Sequence, residues 1–401
     1  MIEKIKNCRN CKGELSDVID FGRMPIANGF ISKNDLDKEF FFNLNAVYCN
    51  KCTLFQLLEN PKPSMMFHDS YAYYSGQSNY MQNHFSKLAS KIDDQGRSNL
   101  TVIEIGNNDG GVIEYLYKKH NCIGIEPSEN VANVAKSKGI KVINDYFNIN
   151  TAKDVCSKFG FADYILSLNV LAHIPDINSV FEGISELINQ NGIYITEDPY
   201  LLDMLHLLSY DQIYDEHIFI FSLTSISNII EKFNLEVFDL QRVDTAGGSM
   251  RYFIGRKGRR KISKEVLEIQ RYEDEMKLYS QQTYKKFKDG CYDSKNKLLK
   301  SLEIQRKNGK LLCSYGATSK STTIFNFCKI DKNLISYITD TTPIKQNKLS
   351  PGMHIPIYDY TYFINNIPDT IFLAAWNLRQ EIFNKEKLFK GNWISHIDHL
   401  F

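Results

Sequence analysis

The spacing of apolar and polar residues changes several times along the chain, and each change predicts an element. From Leu100 to Ile105 an apolar run (Val102, Ile103, Ile105) reads as a buried parallel strand. It breaks at Gly106 into Asn107, Asn108, Asp109 and two more glycines. From about Val112 the apolar residues Ile113, Leu116 and Tyr117 take up helical spacing, which predicts an amphipathic helix. Strand, glycine turn and helix make the first βα unit of a doubly wound sheet, whose ligands bind beyond the carboxyl ends of its strands. Further strands are predicted at 122–126, 141–144, 163–168 and 192–197, and 236–242 with 250–255 read as a closing pair. A helix over 79–92 leads into this unit, and a short apolar helix spans 201–208. A charged helical stretch, 261–307, leads out of it. At Lys310 the strand, glycine turn and helix pattern begins again, and its next strand, 334–338, runs to Asp340. Ahead of all this, Phe21-Gly-Arg-Met-Pro-Ile-Ala-Asn-Gly-Phe30 is rich in turn residues and reads as a loop.

A length of 401 residues exceeds one ordinary core and predicts two or three domains. The net charge of +1 implies neither nucleic acid nor an anionic membrane as partner. The opening Met1-Ile-Glu-Lys-Ile-Lys has no apolar signal region and no run approaches spanning length, so a cytoplasmic protein, monomeric or weakly self-associating, is the expectation. Of nine cysteines, five are scattered and read as buried or idle thiols. The other four form two C-x-x-C knuckles, Cys8/Cys11 and Cys49/Cys52. Two knuckles complete a tetrahedral S₄ site, and in a reducing compartment zinc is favoured over disulfides. With all four positions filled by protein, that zinc is structural.

The first glycine turn is not a dinucleotide fingerprint. It reads Glu104-x-Gly106-x-x-Asp109-Gly110, with Asn108 inside it. Acids here repel a pyrophosphate and suit a cationic ligand such as S-adenosylmethionine. The second strand ends at Glu126-Pro127, about twenty residues after the turn, where a ribose-binding carboxylate belongs. The third ends at Asn144-Asp145, followed by Tyr146 and Phe147, an amide or acid and an aromatic suited to adenine. The fourth ends at Asn169, beside the cofactor, with His173 close behind as either a helix-start histidine or a polar group facing the reaction.

Other stretches carry candidate chemistry. Asp69-Ser-Tyr-Ala-Tyr-Tyr-Ser-Gly-Gln-Ser78 is either a surface loop or a substrate wall offering Tyr71, Tyr73 and Ser75. Tyr214-Asp-Glu-His217 packs a phenol, a carboxylate and an imidazole into four residues at the mouth of the cleft. Histidine titrates near neutral pH and can take a proton from a carbon acid. The second glycine turn carries no acid but has Lys320 among hydroxyls, which suits a phosphate. Asp340 and Lys345 follow at the next strand end, and Arg251 opens the last central strand. Trp376 reads as core or as a wall of that cleft.

The double C-x-x-C lobe, Met24-Pro-Ile-Ala-Asn28, Tyr71-Ala-Tyr73, Glu104-Ile-Gly-Asn-Asn-Asp-Gly110, Asn169-Val-Leu-Ala-His173 and Tyr214-Asp-Glu-His217 occur in the order seen in sugar C-methyltransferases. The chain resembles that family over nearly its whole length. The resemblance implies a small zinc-binding lobe (1–75), a class I Rossmann-like methyltransferase domain (76–255) and a second Rossmann-like α/β domain (256–401). It implies S-adenosylmethionine as methyl donor and a nucleotide-linked 4-keto-6-deoxyhexose as substrate, methylated at C3 or, less often, C5. It implies that His217 removes the C3 proton, that Glu216 orients His217, and that Tyr214 or His173 steadies the enolate. Lys320 is then expected at the diphosphate, with Arg251, Asp340 and Lys345 as further substrate contacts. One departure stands out: Ala246-Gly-Gly-Ser-Met-Arg251 has alanine where the family often has histidine. The motifs of the central unit also admit an O- or N-methyltransferase acting on a sugar or small metabolite.

Overall fold

The computed structural model describes residues 2–68, 71–93 and 96–397. Asp69 and Ser70, which open the tyrosine-rich stretch, lie outside the described residues. Three sheets organise the chain, besides a small pairing of Ile2–Lys4 with Glu59–Pro61. The central one has seven strands in the order Leu235–Val243, Ser249–Arg256, Ile188–Pro199, Ala162–Leu168, Thr101–Ile105, Asn121–Ile125 and Lys141–Ile143. Ile188–Pro199 and the four strands beyond it pair in parallel, and the Leu235–Val243/Ser249–Arg256 hairpin closes the other edge antiparallel. Alternation along each strand decides which layer it feeds. Ile103, Ile123 and Ile165 pack with the helices Ile149–Phe159 and Ile177–Leu187. Val102, Cys122, Leu166 and Ile195 pack with the helix Asn79–Asp93 and with Val112, Ile113 and Leu116. Burial on both faces is why these strands read as continuous apolar runs.

The helix expected from Val112 is a single 3₁₀ turn, Ile113–Tyr115. The next strand starts at Asn121. The stretch expected as a loop at 21–30 begins as strand, because Leu15–Pro25 pairs with Phe41–Cys49 as far as Pro25. The charged stretch divides into Lys264–Met276 and Gln281–Lys307, separated at Lys277, whose φ of 51° ends the first helix.

The N-terminal sheet is antiparallel, in the order Phe219–Ile220, Phe55–Leu57, Phe41–Cys49 and Leu15–Pro25. Its edge strand therefore comes from the segment just after His217, which ties a distant loop to the cysteine lobe. The C-terminal sheet has five parallel strands, Ile357–Tyr358, Tyr337–Thr339, Leu312–Tyr315, Thr370–Leu373 and Asn392–Ile394. Among the described residues no helix is long and apolar enough to cross a membrane.

Candidate active site

One cavity of about 370 Å³ opens at the carboxyl ends of the central strands. Its floor is the first glycine turn. Gly106 has φ +67°, and a Cβ there would lie 2.5 Å from Val170, so only glycine fits. Glu126 lines the cavity and accepts from the N–H of Asn108 (3.0 Å) and of Ser128 (2.8 Å). Burial pushes its carboxyl up. Pro127, Tyr146, Phe147 and Asn169 complete this end. Asn107 joins them, and its buried Oδ1 has no partner among the described residues.

The rest of the turn's polar side chains are engaged within the protein. Glu104 reaches the cavity, but its two oxygens accept from Val112 N (3.1 Å) and Ile113 N (2.9 Å). Burial pushes its carboxyl up to about 7. Asp109 and Gly110 are not among the cavity-lining residues. Asp109 instead accepts from Ser75 Oγ (3.0 Å) and Gly76 N (2.9 Å), latching the tyrosine-rich loop to the turn. Asn108 adds to the latch by accepting from Ser75 N (3.0 Å) and donating to the carbonyl of Tyr73 (3.2 Å). Asn144 and Asp145 also lie outside the lining, and Asn144 donates to the Glu126 and Pro127 carbonyls. Of the acids at this end, Glu104 and Glu126 line the cavity, and Asp109 does not.

At the other end stand Tyr71, Tyr73, His173, Tyr214, Glu216 and His217. His217 Nδ1 lies 2.7 Å from the Gln212 carbonyl. A carbonyl only accepts, so Nδ1 carries the hydrogen and Nε2 keeps its lone pair. The Tyr214 hydroxyl donates to that Nε2 at 2.9 Å. Burial holds the imidazole well below the usual histidine range, so it is neutral. Glu216 was expected to orient this ring. Its carboxylate turns instead to Asn28 Nδ2 (2.6 Å) and the Tyr71 hydroxyl (3.1 Å). The His173 ring stacks on His217 at 5.4 Å and on Phe67 at 5.7 Å. Burial pushes it down to about 4, and its Nε2 has no partner among the described residues.

The C-terminal unit contributes Lys320 and Lys345 to the same cavity. Lys320 donates to the Ala246 carbonyl (2.7 Å) and sits over Trp376 at 5.2 Å. Lys345 donates to the Ala317 carbonyl (2.9 Å). Asp340 and Arg251 are absent from the lining. Asp340 accepts from Ala317 N and Thr342 N and so shapes the second glycine turn. Arg251 donates from Nε and Nη2 to the fully buried Glu197 at 2.9 and 2.7 Å, a pairing that satisfies both charges inside the protein. Trp376 is core: it is buried, and a Cβ on Gly247 would collide with its ring.

The four knuckle sulfurs lie within 4.8 Å of one another, with Cys8–Cys52 at 3.6 Å and Cys11–Cys49 at 3.4 Å. Tetrahedral zinc with bonds of about 2.3 Å separates its sulfurs by about 3.8 Å, so the set fits that ion. Gln56 Nε2 donates to the Cys8 sulfur at 3.2 Å, and Gly13 N to that of Cys11 at 3.4 Å, both suited to thiolates.

Family models describe three consecutive parts of the chain: a zinc binding domain at 8–67, a methyltransferase domain at 77–240 and a C-methyltransferase C-terminal domain at 244–397. C-methyltransferase NovU of Streptomyces niveus is 29% identical over an alignment covering 98% of this chain and 94% of NovU. The chain is therefore similar to C-methyltransferases over nearly its whole length. Solved structures overlap less of it. Magnesium protoporphyrin IX methyltransferase from Synechocystis PCC 6803 with bound SAH is 15% identical, covering 44% of this chain and 83% of that one, with a TM-score of 0.36. A TehB-like SAM-dependent methyltransferase from Corynebacterium glutamicum is 14% identical, covering 42% and 86%, with a TM-score of 0.32.

The site includes residues that local patterns did not single out. Gln212 acts through its carbonyl, and main-chain atoms carry no sequence signal. Asn28 lies in the Met24–Asn28 segment already marked by the resemblance, yet its contact with Glu216 spans 188 positions. Thr245, at the start of the Thr245–Gly247 turn, lines the cavity and donates to Glu197 at 2.7 Å.

Proposed function

We propose that this protein uses S-adenosylmethionine to methylate C3 of a nucleotide-linked 4-keto-6-deoxyhexose. The observation that carries the reading is one continuous cavity: a glycine turn and ribose-type carboxylate at one end, and a neutral imidazole with a fixed lone pair at the other. The unpartnered Asn107 Oδ1 at the first end supports a polar cofactor there. The donor supplies, when bound, an electrophilic methyl carbon whose sulfur leaves as a neutral thioether. Glu126, Asn169 and the Gly106 turn would hold that molecule, and Tyr146 and Phe147 line the same end of the cavity.

A ketone acidifies the neighbouring C–H because the electron pair left behind delocalises onto oxygen. His217 Nε2 takes the proton from C3. The Tyr214 hydroxyl, freed from Nε2, and His173 steady the enolate oxygen. Tyr71, Asn28 and Glu216 form a connected wall that orients the sugar, with Tyr73 and Ser75 on the latched loop above it. The methyl would pass from the donor to the carbanion, and the protein's contribution to that transfer would be positioning. Zinc takes no part in the chemistry and holds the N-terminal lobe.

Lys320 and Lys345 are placed for the diphosphate. Burial holds the Lys320 amine down to about 8, so its charge is present below that pH and lost above it. We therefore expect kcat/KM for the nucleotide sugar to fall above about pH 8. Lys320→Met removes that limb of the profile while lowering the plateau. A profile unchanged by the substitution would move the diphosphate elsewhere.

The deciding experiment incubates the enzyme with a panel of nucleotide 4-keto sugars in deuterated water, first without methyl donor. Deuterium enters C3 under the proposed reading. Labelled S-adenosylmethionine then adds one methyl, which NMR places on carbon. A methyl found on oxygen or nitrogen, with no exchange at C3, would replace this reading with heteroatom transfer.

A further inference from the structure

The His217 imidazole owes its tautomer to one carbonyl, that of Gln212. The 3₁₀ turn Tyr210–Gln212 that presents it is anchored largely by the C-terminal unit. Asp211 is fully buried, and each of its carboxylate oxygens has a partner there. Trp376 Nε1 donates to Oδ2 at 2.7 Å, and His396 Nε2 lies 3.0 Å from Oδ1. An indole N–H can only donate, so Asp211 is the acceptor. Burial raises the Asp211 carboxyl, but His396, Lys320 and Trp376 more than offset it, so it stays ionised. Tyr210 is wedged beside Phe327 and His396, with ring centroids 5.6 and 5.0 Å away. Thr323 Oγ1 donates to the Ile213 carbonyl at 2.9 Å. The Gln212 side chain donates to the Ala246 carbonyl, the same oxygen that receives Lys320.

We propose that Asp211, clamped by Trp376 and His396, is the positioning residue that keeps His217 in its Nδ1–H tautomer. The proposal rests on the reading of His217 as the base. Asp211 touches neither the cavity nor His217. It fixes the Tyr210–Gln212 turn, and the carbonyl of the next residue, Gln212, takes the Nδ1 hydrogen. With the clamp loosened the carbonyl drifts, and the ring is free to protonate at Nε2 and donate to the Tyr214 oxygen. The lone pair then faces away from the substrate and the base is silent. The other groups whose charge reaches His217 are His173 and Lys320, with Tyr214 in contact, and none of them meets Nδ1. The clamp also accounts for Gly247: the turn that carries the Ala246 carbonyl runs against Trp376, where a side chain has no room.

The test uses the full-length zinc-loaded protein labelled with ¹⁵N-histidine. Ring NMR spectra are recorded for the wild type and for Trp376→Phe, His396→Ala, His396→Gln and Asp211→Asn, with circular dichroism to confirm folding. His217 should be Nδ1–H in the wild type, and Trp376→Phe and His396→Ala should populate the Nε2–H form. Asp211→Asn should lower kcat on the order of 10²-fold, as expected for a displaced catalytic group, with KM for the methyl donor unchanged. His396→Gln, whose amide still donates to Asp211, should restore both tautomer and kcat. Retention of the Nδ1–H tautomer and of kcat in folded Trp376→Phe and His396→Ala overturns the clamp. Loss of the base reading gives a different result: His217→Ala then keeps turnover whatever the clamp variants do to the ring.

Discussion

His217→Ala lowers turnover by about 10²–10⁴-fold, the range for loss of a positioned general base. The expectation comes from the ring's state rather than from its presence in a motif. Its Nδ1 hydrogen is held by a carbonyl, its Nε2 lone pair is directed at Tyr214 and the cavity, and burial keeps it neutral. A neutral imidazole is competent over the whole working pH range, so no acidic limb with the usual histidine pKa should appear in kcat/KM. Exchange of substrate C3–H with solvent should fall in parallel with turnover. Glu216→Ala is expected to act differently, because its carboxylate holds Asn28 and Tyr71 rather than the imidazole. It should raise KM for the sugar as well as lower kcat. Normal turnover and normal exchange in His217→Ala would move the base elsewhere in the cavity.

Removal of zinc should cost the enzyme both its N-terminal lobe and its activity, although none of the four cysteines lines the cavity. Structural zinc bound by four thiolates contributes on the order of 10 kcal/mol to folding its own domain. Here that lobe does more than stand beside the active site. Phe219–Ile220, immediately after His217, is the edge strand of its sheet, and Leu57 N donates to the Ile218 carbonyl at 2.8 Å. Gln56, paired with Phe219, also reaches the Cys8 sulfur. Chelation at neutral pH should therefore expose the lobe to proteolysis within about residues 8–67 and abolish methyl transfer together with C3 exchange. Both should return when zinc is restored. Retained activity after complete removal of the metal, measured by atomic absorption, would show that the edge strand stands without it. Cys49→Ser should reproduce the loss.

The two glycine turns and the seven central strands were legible because each is a local pattern. Strands buried on both faces must be continuously apolar, and Gly106, at φ +67° and pressed against Val170, must be glycine. The cysteine knuckles were legible for the same reason, since metal geometry demands paired thiols on tight turns. The family resemblance, C-methyltransferase, also rested on motifs that survive as strings. The partners of the first turn's acids were not legible: the fold spends Glu104 on two backbone N–H groups and Asp109 on the tyrosine-rich loop. Nor was the partner of Arg251, because the buried Glu197 that claims it is 54 positions away.

By itself, then, the sequence determined the order of strands and turns, the four-thiolate cluster and the residues Tyr214, Glu216 and His217 as a candidate reactive group. Only the tertiary structure decided which of their atoms face the cavity and what holds them there. The physical reason is that hydrophobic period and turn chemistry act within a few residues. A hydrogen bond from Asn28 to Glu216, or from Trp376 to Asp211, exists only once chain segments 165 or more positions apart have packed together.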